Sequence, residues 1–243
     1  MTRTPRTLRS FHLTIFSAMS ALLVPLVILV LMIAVSVIIA LIIGINTGLP
    51  LRDDVSMGMT YNMGAVFSIP GFLISYGALT VNRQFATAMA FGSTRRNFWI
   101  GSSLGFLVIS LVTGVGSVLL MWLEKATGHW FIGARAMDVY TLGSGRAWQT
   151  LLTVTVLCLC SLYIGAGFGT VFRAWGAKVA TAVAIGAGLV IAGAVALIVW
   201  QWDAWGPTLL EMGAWTLTVG TGIVGLIAMA ASFIVNRRSG VTA

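Results

Sequence analysis

Apolar residues run along this chain in long unbroken blocks, with neither strict alternation nor a single helical stripe. His12 aside, charge is missing from 10–51, 55–82, 97–123, 147–172, 179–202 and 212–236. Each block can cross a hydrocarbon core of about 30 Å as a helix, which takes about 20 residues at a rise of ~1.5 Å. The pattern predicts six spans, at about 22–45, 61–81, 98–123, 151–171, 179–201 and 213–235. A membrane barrel would alternate polar and apolar positions, and VPLVILVLMIAVSVIIALIIGI does not. The fold class expected is therefore all-α integral membrane, a single transmembrane domain over 1–243. The first block follows basic residues, but it exceeds the 7–15 residues of a signal-peptide core and no small-residue cleavage site follows, so it reads as a retained helix.

Composition agrees: 58% of residues are hydrophobic and 8% charged, against about 25% charged in soluble proteins. The charges give the spans a direction. With the N-terminus inside, Arg3, Arg6, Arg9, Arg83, Arg95, Arg96, Arg173, Lys178, Arg237 and Arg238 are cytoplasmic, while Arg52, Lys125, Arg135 and Arg146 are outside. That bias predicts both termini in the cytoplasm. Asp53, Asp54, Glu124, Asp138, Asp203 and Glu211 then all fall outside. Trp99 and Trp175 sit at inner boundaries, and Trp122, Trp148, Trp200, Trp202, Trp205 and Trp215 near outer ones, as an interfacial belt would. The net charge of +8 is thus a topology signal; no folded basic domain is present for nucleic acid.

Local signals add detail. The segment RTPRTLRSFHLTIFSAMS spaces Leu8, Phe11, Ile15 and Met19 as either a basic amphipathic helix in the inner interface or a basic tail that serves topology. Pro70, followed by Gly71, predicts a kink in the second span. Gly101 with Gly105, and Gly165 with Gly169, have the spacing at which helix backbones approach closely. Cys158 and Cys160, two apart on one helix, face different ways, which disfavours a disulfide or metal pair.

Catalytic chemistry is absent from the pattern. His12 and His129 lie outside the spans, no carboxylate lies within one, and there is no GxxxxGK[ST] loop. Intramembrane catalysis, proton-coupled transport and nucleotide binding by that loop are disfavoured, and no catalytic, cofactor or metal residue is assigned.

The stretch NRQFATAMAFGSTRRNFWIG (82–101) breaks the apolar run on the cytoplasmic side. Phe85, Ala88 and Met89 share one face of a short helix, Gly92 suits its stop, and Ser93 or Thr94 can cap the next helix. A simple hairpin whose arginines hold lipid headgroups would show the same spacing. AMAFGSTRRNFW (88–99), in a six-helix chain with both termini inside, resembles the pattern between the second and third helices of bacterial ABC-2 type exporter permeases.

The resemblance implies an ABC-2 (type V exporter-like) permease in the bacterial plasma membrane, without catalytic function of its own. Residues 83–91 would be the coupling helix that docks on a separate ATPase, which holds ATP and Mg. The contact set it implies is Arg83, Gln84, Phe85, Ala88, Met89, Phe91, Gly92, Arg95 and Arg96, with Arg173 and Trp175 of FRAWGAK as a second contact. A second permease copy or a homologous permease would complete the pathway, with lipid around it. The cargo would be amphiphilic or hydrophobic, such as a drug, peptide antibiotic or lipid-like molecule. Asn62, Ser68, Ser75 and Tyr76 are candidates to line the pathway, or ordinary interhelical hydrogen bonds. A membrane scaffold or regulatory subunit binding its partner through 82–98 is the second reading, and a secondary carrier the third. The outer loop 124–149 is longer and more polar than the family pattern, and has no role assigned.

Overall fold

The structure, a computed structural model, describes residues 19–238, and every regular element in that range is helical. The expectations for the N-terminal amphipathic segment before Met19 lie outside the described residues. Among the described residues five helical stretches are long and apolar enough to cross a membrane. In chain order the helices are α1 (Met19–Thr47), α2 (Asp53–Gly58), α3 (Gly64–Leu79), α4 (Phe85–Ala90), α5 (Arg95–Ala126), α6 (Ala147–Trp200), α7 (Trp202–Met212) and α8 (Ala214–Arg238).

The ends of these helices follow local chemistry. α3 starts later than the spacing predicts because the Asn62 side chain accepts from the Gly64 amide at 2.9 Å and fixes a turn there. Pro70 sits inside α3 without ending it, and the departure from α geometry comes instead in the π turn Thr80–Gln84 that joins α3 to α4. α4 stops at Gly92, whose φ of 73 closes the helix, with the Ser93 amide donating back to the Ala88 carbonyl. Of the two expected caps for α5 it is Thr94 that acts, its hydroxyl accepting from the Asn97 amide at 3.2 Å.

The first arm of α6 is the hub, packing against α3, α5 and α8, while α1 covers α3 and α5. Leu29, Ile69, Leu73, Phe106, Ile109 and Leu162 form the fully buried centre of this packing. α3 and α6 touch backbone to backbone: a Cβ on Gly165 would overlap the Ile74 carbonyl, one on Gly77 the Leu162 carbonyl, and one on Gly169 would lie 2.7 Å from the Ala78 oxygen. Of the two glycine pairs in the sequence, Gly165 and Gly169 are thus at a helix contact, with Gly77 as a partner the spacing did not reveal. Gly165→Val should lower thermal stability by about 1–3 kcal/mol by forcing these helices apart. Thermal unfolding in detergent checks this, with Gly167→Ala, where a Cβ meets open space, as the neutral control.

α6 is two arms. Gly176, at φ 79 and ψ −178, breaks its helical path, a conformation an L-residue rarely adopts. Where the sequence offers the whole segment FRAWGAK as a connection, the chain turns at this one residue. The first arm and α8 run parallel, since Thr153 meets Thr218 near one end and Arg173 meets Asn236 near the other. The second arm therefore carries the chain back, and at ~1.5 Å per residue 177–200 is about 36 Å long. No residue of 177–200 is buried.

The bundle thus has two chemically different ends. At one lie Arg83, Arg95, Arg96 and Arg173 with Asn236; at the other lie α2, the last turn of α5 with the loop that follows it to 146, and α7, carrying all six acidic side chains. They are called here the basic and the acidic end.

Candidate functional site

At the basic end, three aromatic and aliphatic side chains make a small core of their own: Phe85 and Ala88 of α4 and Phe98 of α5 are buried, with Met89 packed against them. The Phe85 and Phe98 rings meet edge to face, 5.3 Å between centroids at 86°. Above Phe85 sits the Arg173 guanidinium, 3.5 Å from the ring centroid, a cation held over the ring's negative face. Arg173 also donates to the Val81 carbonyl at 3.3 Å and to the Asn236 side-chain oxygen at 2.8 Å. The Asn236 amide in turn donates to the Arg95 carbonyl at 3.5 Å. Val81 of the π turn, Phe85 of α4 and Asn236 of α8 therefore converge on one guanidinium of α6, and Asn236 carries the link on to α5.

All the residues expected at a partner contact gather at this end, but they do not share one face. Phe85, 1% exposed, and Ala88 turn inward, because the apolar face of α4 is the one that closes over Phe98. Gln84, Met89, Arg95 and Arg173 are half-buried, while Arg83, Gly92 and Arg96 are exposed. Phe91 is 67% exposed and Trp175 56%. The exposed members of the expected contact set are thus Arg83, Phe91, Gly92, Arg96 and Trp175. Sequence reasoning missed Phe98 and Asn236 as members of the cluster; Asn236, a polar residue at the end of an apolar helix, was the available signal.

The fork of Arg173 is what the site uses, so Arg173→Lys should not be a mild change. A lysine keeps the charge but cannot hold Val81 and Asn236 together while lying flat on Phe85. Thermal stability is expected to fall by about 1–3 kcal/mol, read by unfolding in detergent. A melting curve matching wild type would show that charge alone suffices.

The candidate pathway residues are dispersed. Asn62 donates to Ser36 of α1 at 2.9 Å, an interhelical bond. Ser75 is exposed and returns its proton to the Gly71 carbonyl at 3.0 Å. Tyr76 stacks on Phe72, 6.2 Å between centroids, and Ser68 is half-buried. A different polar set runs through the interior: Ser110, Thr113 and Ser117 on α5 and Thr150, Thr153 and Ser161 on α6 are all buried. Thr113, Ser117 and Ser161 donate to carbonyls four residues back, and Thr153 pairs with Thr218 at 2.7 Å across α6 and α8. The spacing of Ser110, Thr113 and Ser117 marks one helical face in the sequence, and it went unread because hydroxyls are unremarkable in apolar helices.

At the acidic end the 124–146 loop folds around one carboxylate. Glu124 is fully buried; its oxygens accept from the Met137 amide at 2.7 Å, the Ala136 and Asp138 amides at 3.2 Å, and the Trp130 indole at 3.3 Å. Asp138 then takes His129 and Arg135, each at 3.2 Å, and Arg135 reaches the Ser56 hydroxyl of α2. Lys125 closes the loop on the Gly145 carbonyl at 2.8 Å. Residues 128–131 all have positive φ, a run that costs conformational energy at each non-glycine position. The Glu124 and Asp138 contacts hold it. The loop without an assigned role is therefore a built cap over the acidic end, tied to α7 through Tyr140, which donates to the Leu210 carbonyl.

No protein-family model matches the chain, and no curated protein or solved structure matches it either.

Proposed function

We propose that this chain is the transmembrane subunit of an ATP-driven exporter of the ABC-2 type, six-spanning, with both termini in the cytoplasm of a bacterial cell. The observation that carries the reading is the basic-end cluster: a short helix and turn with the motif AMAFGSTRRNFW, whose buried side is wired through Arg173 to α5, α6 and α8. Such an element converts a push from outside the membrane into motion of helices within it.

The two arms of α6 support a count of six spans: the first arm and α8 run parallel, and 177–200 between them is long enough for a return crossing. The sequence pattern assigns ten of the fourteen basic residues to one side, which supports that side as the cytoplasmic one.

In this mechanism two cytoplasmic ATPase subunits hold ATP and Mg and close on one another. Their grooves receive Phe91, Gly92 and the arginines beside them, with Trp175 as the second contact. Closure displaces α4, and the Phe85, Phe98, Arg173 and Asn236 cluster passes the displacement to α5, α6 and α8. A second copy of the chain, or a homologous permease, faces the first across the pathway. The spans carry no fixed charge to recognise an ion, which suits amphiphilic or hydrophobic cargo.

Transport of such a cargo by membranes holding the chain and its ATPase, and its loss when the ATPase is inactivated, tests this reading. Partner binding without ATP-dependent transport favours the scaffold instead.

A further inference from the structure

Beside the Arg173 cluster, where the π turn faces the last residues before the Gly176 break, an open cleft of about 710 Å³ is lined by Leu79, Asn82, Arg83, Phe172, Arg173 and Trp175. Its walls divide by chemistry. Arg83, Arg173 and Asn82 offer two guanidiniums and a carboxamide; Leu79, Phe172 and Trp175 offer hydrocarbon and aromatic surface, each of them substantially exposed.

We infer that this cleft binds an anionic phospholipid, with the headgroup phosphate at Arg83 and Asn82 and an acyl chain along Leu79 and Phe172. Three observations converge on that occupant. All six acidic side chains belong to the opposite end of the molecule, so the field at the cleft is positive and selects an anion. The cleft lies where apolar helix gives way to a basic turn beside a tryptophan, the depth at which headgroups meet protein. Half of its lining is apolar, which a free inorganic anion would leave unused and a lipid tail would cover.

The two arginines have different parts. Arg173 is fixed by Phe85, Val81 and Asn236 and supplies a charge at a set position. Arg83 is exposed and long enough to close over a phosphate, and its planar fork matches phosphate oxygens. The inference goes beyond the exporter reading and does not depend on it, since the ligand is membrane lipid and no ATPase is needed.

Native mass spectrometry of the full-length chain in detergent, titrated with phosphatidylglycerol and with phosphatidylcholine of the same acyl chains, tests the site. One phosphatidylglycerol is expected to bind in preference to phosphatidylcholine. Arg83→Gln should weaken phosphatidylglycerol binding about fivefold, and Arg96→Gln, exposed at the same end but outside the cleft, less than about twofold. Inorganic phosphate at concentrations equal to the lipid should not displace it. Equal binding of the two lipids, equal losses from the two arginine variants, or displacement by inorganic phosphate would each overturn the inference. The last of these would identify a free-anion site instead. Because no ATPase is present, a negative result leaves the exporter reading standing.

Discussion

Under the proposed exporter reading, Phe91→Asp is expected to release the ATPase partner while leaving the chain folded. Phe91 is 67% exposed and lies next to the Gly92 stop, so the bundle gains nothing from its ring. A partner groove that covers it recovers the ~1.5–3 kcal/mol of a buried phenylalanine, and an aspartate there must be desolvated as well. Together these reduce affinity by about a hundredfold or more, enough to lose the partner on a column. Phe85→Asp should behave differently. At 1% exposure, beneath Arg173 and against Phe98, it should prevent folding altogether. Co-purification with a thermal melt on each variant separates the two outcomes. Retention of the ATPase by the Phe91→Asp chain would show that the docking surface lies elsewhere.

Glu124→Gln is expected to cost about 3 kcal/mol or more, because a buried acceptor of charge-assisted hydrogen bonds is replaced by a group half of which is a donor. Both carboxylate oxygens accept backbone amides, so either amide rotamer sets an NH2 group against an N–H. Melting should fall by about 6–12 °C for a chain of this size, and the positive-φ run at 128–131 should become accessible to protease. Asp54→Asn, on an exposed side chain in α2, should change stability by less than about 0.5 kcal/mol. If Glu124→Gln melts like wild type, the carboxylate does not organise the cap.

The sequence made the helices legible because bilayer thickness sets a length that charge-free runs report directly. Gly92 and Thr94 were legible for the same kind of reason: a helix stop and a cap each depend on one residue type at one place. The spacing of Phe85, Ala88 and Met89 correctly marked an apolar face, but periodicity says only that a face is covered, not by what. Here Phe98 and the Arg173 stack cover it, and the exposed surface is the opposite one. Glu124 was harder, since its amide donors come from 136–138 across a turn with no repeating pattern, and a charge at the end of a span reads as solvated. Gly176 was one of several small residues in FRAWGAK, and its positive φ belongs to the backbone, not to the composition. The buried hydroxyls of α5 and α6 had the right spacing, but in an apolar helix such spacing distinguishes packing from a pathway poorly.

The central claim, that the basic end couples this membrane bundle to a cytoplasmic ATPase, is tested most directly by gentle detergent extraction of the tagged chain from its native membrane and mass spectrometry of what accompanies it. The account predicts a stoichiometric ATPase carrying a phosphate-binding loop, with a second permease copy or a homologous permease, and loss of the ATPase in Phe91→Asp. Recovery of the chain alone, or with a receptor or enzyme of another kind, would contradict it and make the basic end the docking face of a membrane scaffold.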